Sequence, residues 1–204
     1  MGILSSSVSI TRYKVIDKLE GPVAEAVEKG LTKNTISEIE NMESDQNIGW
    51  TSFDNPFKPN FEGSSFVIGN YMVFSLRIDK KNIPAKIVTK HFSVEMAKQL
   101  AETGREYLSR DEKKKLKEKI IDDLSLRIPA TPSVYDLLWN YEESLLLFLS
   151  NQKAANEELE TLFSKSFKLT IVRLFPYTMA DLNIDISDAE RDAISKLSPT
   201  KFSE

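Results

Sequence analysis

The sequence predicts an α+β protein with largely antiparallel β-sheets. Three observations carry that reading. Segments rich in β-branched residues occur in adjacent pairs joined by short turns, not singly between helices. Two long helical segments lie together in the middle of the chain and form a basic helical hairpin. The C-terminal half then runs strand, strand, helix, strand (ββαβ).

Each element has its own signal. Val8–Ile16 carries β-branched residues around Tyr13 and reads as the first strand. Pro22 suits the start of a helix, and Val23–Leu31 has helical spacing. The stretch from Ser37 to Asn47 is acidic and polar. Gly49–Gly63 reads as a loop, because two prolines and three Asn or Asp residues lie between its glycines. Its aromatics, Trp50, Phe53, Phe57 and Phe61, are expected to anchor it to the body; stacking on nucleic-acid bases is the sharper alternative. Ser65–Ile78 is strongly β and long for one strand, and Gly69-Asn70 divides it into a hairpin.

Pro84 opens a helix of about 20 residues that ends near Gly104. Val88, Phe92, Met96 and Leu100 form its apolar stripe. Ser109-Arg110-Asp111-Glu112 has the spacing of a capping box, so a second helix starts there, with Leu116, Ile120 and Leu124 on its apolar face. Pro129 and Pro132 end it. Val134–Tyr141 and Ser144–Leu149 are strands around the acidic turn Glu142-Glu143, with Trp139 on a core face. Asn151 is the expected cap of a helix that buries Ala155, Leu159, Leu162 and Phe163. Leu169–Phe175 is the last strand. After Pro176 the chain turns polar, with a short surface helix at Ser187–Leu197. The expected organisation is one region over residues 1–182, as a single domain or two tightly packed lobes, and a polar tail over 183–204.

Composition excludes several kinds of chemistry. The 204 residues include no Cys, which removes disulfides, thiolate zinc sites, iron–sulfur clusters and cysteine nucleophiles. A single His, His91, excludes paired-histidine chemistry. No apolar run approaches the ~18 residues of a membrane helix, and the N-terminus lacks the pattern of a secretory signal, so the cytosol is the expected compartment. No Walker-type glycine loop is present, and no cofactor is expected. For a nuclease, Asp122-Asp123 is the best local acidic pair, but neighbours on a helix face different ways and cannot converge on a metal by themselves.

The net charge of −4, taken alone, speaks against a nucleic-acid binder. Its distribution reverses that. Arg77 through Lys119 holds thirteen basic and seven acidic residues, a local charge of +6, and leaves −10 on the remainder. Clustered like charges repel, and a phosphate backbone relieves them by releasing its counterions. No zinc finger, helix-turn-helix or aromatic RNA-binding signature accompanies the lysines, so contacts should go to the backbone and ignore base sequence.

Several segments together resemble the RdgC family of recombination-associated DNA-binding proteins. They are Arg77-Ile78-Asp79-Lys80-Lys81-Asn82-Ile83-Pro84 with Ile87-Val88 and Lys90, the Lys-rich Asp111–Lys119 run, and the Leu126-Arg127 turn before a Trp-bearing strand. Gly49-Trp50, the Lys153–Leu162 helix and the Val172–Pro176 strand end fit as well. The resemblance spans roughly residues 8–182 and rests on order and spacing. It implies a cytoplasmic, nucleoid-associated homodimer that binds double-stranded DNA without sequence preference and restrains RecA-type recombinase filaments, with no membrane association. Two departures stand out. Family members are about half as long again, with additional C-terminal sequence that contributes to closing a ring. Their aromatic finger after the turn arginine is missing here, where Arg127-Ile128-Pro129-Ala130-Thr131-Pro132 follows.

The expected phosphate contacts are Lys80, Lys81, Lys86, Lys90, Arg105, Arg110, Lys113, Lys114, Lys115 and Lys117, with Arg127 carried over from the family turn. No catalytic or metal-ligating residue is assigned. Two alternatives stand beside duplex binding: a protein-interaction module whose basic hairpin docks on an acidic partner, and a metal-dependent exonuclease.

Overall fold

Alternation along the first strand shows how the molecule is layered. In β1 (Thr11–Val15), Tyr13 and Val15 are buried while Arg12 and Lys14 point to the other face. The structure, a computed structural model, describes residues 2–3, 5–37, 45–183 and 186–198. Most of the acidic stretch expected between Ser37 and Asn47, and the end of the expected tail, lie outside the described residues.

The elements follow in chain order: β1; α1 (Val23–Lys33); β2 (Gln46–Thr51); a 3-10 turn at Glu62–Ser64; β3 (Val67–Ile68); β4 (Tyr71–Lys80); α2 (Ala85–Thr103); α3 (Arg110–Ser125); β5 (Thr131–Asn140); β6 (Leu145–Phe148); α4 (Lys153–Phe167); β7 (Ile171–Arg173); α5 (Pro176–Asn183); α6 (Asp188–Ser195). Seven strands form one antiparallel sheet in the order β2-β4-β5-β6-β1-β7, with β3 also on β4. The architecture is therefore mixed α and β around a single antiparallel sheet, as the paired strands predict. The β3–β4 turn falls on Gly69-Asn70, with Ile68 opposite Tyr71 and Gly69 at φ 59°.

Helices α1 and α4 cover one sheet face and build the main core. Trp50, Phe74, Trp139, Phe163 and Phe167 interlock there with ring centroids 4.8–6.3 Å apart. Eleven large side chains in this layer are less than 2% exposed, and each is worth about 1.5–3 kcal/mol of transfer free energy. Gly30 permits the close approach of the two helices: a Cβ there would lie 2.7 Å from the Phe167 ring. The buried Tyr13 hydroxyl donates to Asn156 Oδ1 at 2.6 Å and accepts from Arg173 Nη2, which also reaches Glu160 at 2.8 Å. Burial pushes this phenol well above its usual range.

Several expectations need correction. Gly49, Trp50 and Thr51 are not loop: they belong to β2, which pairs with six residues of β4. Gly49 allows it, because the Ile36 backbone passes 2.5 Å from where its Cβ would be and Thr35 bridges Trp50. The true loop runs from Ser52 to Phe61; of the four aromatics expected to anchor it, Phe61 is buried at its end, Phe53 is half-buried, and Trp50 is buried in β2 before it. Its Phe57 is 63% exposed, yet Arg77 lies over its ring at 5.2 Å. Gln152, not Asn151, occupies the N-cap of α4, and it makes no side-chain cap. The segment after Pro176 is helical, since proline is well suited to the first helical position. The Ser187 capping box opens α6 as expected.

Candidate nucleic-acid interface

The basic segment is held at one end of the β4–β5 ladder. These strands pair over nine positions, from Met72 opposite Trp139 to Lys80 opposite Thr131. Residues 81–130 leave and re-enter at that last pair, so α2 and α3 form its tip. The capping box predicted for α3 is present: Ser109 Oγ accepts from the Glu112 N–H at 3.2 Å, and Glu112 accepts from the Ser109 N–H at 2.8 Å. Gly104, at φ 64°, ends α2.

The two helices share a small core of their own, Val88, Leu108, Leu116, Ile120 and Leu124, each 4–8% exposed. Of the 19 residues of α2, only Val88 is buried; Phe92, Met96 and Leu100 are half-buried against the seam. The pair thus has a thin core and a large charged surface.

Position decides what each predicted cation can do. Lys81 departs from expectation. It is only 6% exposed, with its N–H on the Asp45 carbonyl, because it sits at the end of β4 inside the fold. Lys80, Lys86, Lys90, Arg110, Lys113, Lys115, Lys117 and Arg127 are exposed. Arg105 pairs with Glu112 at 2.9 Å, and Lys114 lies 3.8 Å from Glu118; both pairs are open to solvent. Among the described residues, no carboxylate lies within ion-pair distance of Lys86, Lys90, Arg110, Lys113, Lys115, Lys117 or Arg127. Arg77, counted in the +6 segment, is internal: it is bidentate to Asp79 at 2.7 and 2.6 Å, and both are buried.

The helix pair has two unlike flanks. At ~100° per residue, Arg110, Lys113, Lys114 and Lys117 fall within about 100° of arc on one side of Leu116 and Ile120. There Lys113, Lys114 and Lys117 wall a cleft of about 400 Å³ whose α2 side is Val88, Thr89 and Phe92. On the opposite flank, a cleft of about 320 Å³ mixes His91, Lys119 and Arg127 with Glu95 and Asp123. Arg127 is therefore separated from the lysines it was expected to join, while Lys115 points away from both clefts.

Two features are not evident from the sequence pattern. Tyr107, in the loop between the helices, is 77% exposed and flanked in sequence by Arg105 and Arg110. An aromatic among arginines in a helix–helix connection is the one signal of it. The apolar lining of the lysine cleft depends on how α2 meets α3, which spacing alone does not set. Asp122 and Asp123 do not converge: only Asp123 reaches the mixed cleft. Among the described residues, no group of three or more His, Asp or Glu side chains could hold a metal. No helix among them is long and apolar enough to cross a membrane.

No curated protein matches the chain. A family model described as "Putative exonuclease, RdgC" matches residues 9–183, most of its length.

Proposed function

The chain belongs to the RdgC family, a recombination-associated family, and from that premise we propose that it binds double-stranded DNA through the phosphate backbone. The observation that carries this reading is the basic flank of α3. Among the described residues, Arg110, Lys113 and Lys117 stand there exposed and without carboxylate partners, and Lys114 has only a distant one. Lys86 and Lys90 on α2, Lys80 at the end of β4, and Lys115 extend the positive surface. Ammonium groups on flexible stems suit phosphate oxygens but form no fixed fork for a base edge, so binding is blind to sequence.

Binding, not cleavage, is the reading the side chains support best, since the acidic residues at the tip are dispersed. By family resemblance the proposal extends to a homodimer associated with the nucleoid. Occupancy of DNA would then restrain recombinase filaments.

A salt titration of duplex binding tests the proposal. Binding is expected at ~50 mM salt and a steep loss by ~200 mM, with a log–log slope of roughly −0.9 for each phosphate contacted. No binding at low salt, or a flat salt response, overturns it. DNA loss with Mg²⁺ that disappears in Asp123→Ala would replace binding by cleavage. Sedimentation velocity tests the dimer.

A further inference from the structure

The lysine cleft between α2 and α3 has two chemistries, and a phosphate backbone uses only one. Its α3 side is lined by Lys113, Lys114 and Lys117; its apolar α2 side is chiefly the half-buried Phe92, beside Val88. Apolar surface left open between charged groups gains free energy only from an apolar occupant. We infer that this cleft is a docking site for an acidic peptide segment of a partner protein, with one apolar side chain between the helices and its carboxylates on the three lysines.

The polar groups discriminate among occupants. Lysine ammoniums only donate, which suits carboxylates. The remaining polar group, the Thr89 hydroxyl, is already committed to the Ala85 carbonyl at 3.0 Å. A nucleobase in the cleft would have only the Thr89 hydroxyl oxygen among the lining side chains to accept from its edge donors, whereas an aliphatic or phenyl side chain has no donor to satisfy. The volume of about 400 Å³ is in the range of small ligand sites and admits a side chain without rearrangement of the helices. The opposite flank offers no equivalent, because Glu95 and Asp123 there would repel an acidic segment.

Duplex DNA and such a peptide would share Lys113, Lys114 and Lys117 and so exclude each other. The docking inference does not depend on the duplex reading, since the apolar lining carries it.

The experiment uses the full chain and fluorescence anisotropy. One labelled probe is the peptide Asp-Asp-Ser-Phe-Asp-Asp; a second has Ser in place of Phe. The anchored peptide is expected to bind at least about tenfold tighter, the gain from burying one apolar side chain. Thr89→Arg, at an exposed position, fills the cleft and adds a positive charge. It should abolish that preference while duplex affinity is kept or raised. Equal binding of the two peptides overturns the inference, because attraction would then be charge alone. It is also overturned if Thr89→Arg leaves the preference intact, or if oligothymidylate rather than peptide loses affinity in that variant. Failure of duplex binding with the peptide preference retained would sink the duplex reading and leave the docking site standing.

Discussion

Among single residues, the buried Arg77–Asp79 pair lies on the sheet face away from α1 and α4 and carries a stability prediction. Both groups are nearly inaccessible; Arg77 also donates to the Pro56 carbonyl at 3.3 Å and stacks on Phe57. Asp79→Ala leaves a buried guanidinium without its partner, and a loss of about 3–5 kcal/mol is expected in urea unfolding. The paired change Arg77→Met with Asp79→Leu should recover most of it, because the two desolvation costs vanish together. Glu112 gives a pH signature. Hydrogen bonds from Ser109 hold its carboxyl below the usual glutamate range, with Arg105 adding to the effect. A depressed folded-state pKa contributes stability above the unfolded value and loses it as pH falls through the folded one. Hydrogen exchange of the first turn of α3 should therefore quicken below the ordinary carboxylate range, and Glu112→Ala should remove that dependence. Lys81 shows the limit of reading residues in isolation: nothing in Asp79-Lys80-Lys81 marks the second lysine as buried, because the marking comes from its neighbours in space.

At the level of elements, segments with strong local chemistry are readable from the sequence alone. The Ser109–Glu112 box, the Gly104 stop and the Gly69-Asn70 turn all fall where spacing places them. Ser109→Ala should cost about 0.5–2 kcal/mol, read from the thermal midpoint of α3 helicity. β2 is not readable in that way, because Gln46-Asn47-Ile48-Gly49-Trp50-Thr51 has weak strand propensity and is made a strand by pairing with β4. α5 is hidden for a different reason: Pro176 reads equally as a stop and as a first helical residue. The candidate site is half legible. Charge counts find the helices, and 3.6-residue geometry divides the α3 cations by flank, but the cleft needs the packing of α2. On that flank, Lys113→Glu with Lys114→Glu and Lys117→Glu should reduce the duplex salt slope by roughly 0.9 per contact removed. The same change at Lys119, on the mixed flank, should alter the slope little.

In the whole molecule, stability is unevenly distributed. The sheet core holds eleven large side chains less than 2% exposed, while the core that joins α2 to α3 has five buried side chains, each 4–8% exposed. The helix pair should open alone, ahead of global unfolding. Leu116→Ala removes about 2–5 kcal/mol from that local opening. Native-state hydrogen exchange should then show α2 and α3 unprotected while β4 and β5 amides still exchange only with global unfolding. Equal loss in both regions would mean one cooperative unit.

The β4–β5 ladder that carries the tip also sets how the molecule bears load. A taut polymer held by α2 and α3 pulls both strands along their length in the same direction. That tension reaches the rest of the sheet by sliding β4 against β2, where six residue pairs resist, and β5 against β6, where four do. Hydrogen bonds loaded in shear must yield together, whereas a strand peeled from its end gives way one bond at a time. A filament gripped at this tip would thus load the β4–β2 and β5–β6 ladders in shear, and the thin seam between the two helices is expected to slip first.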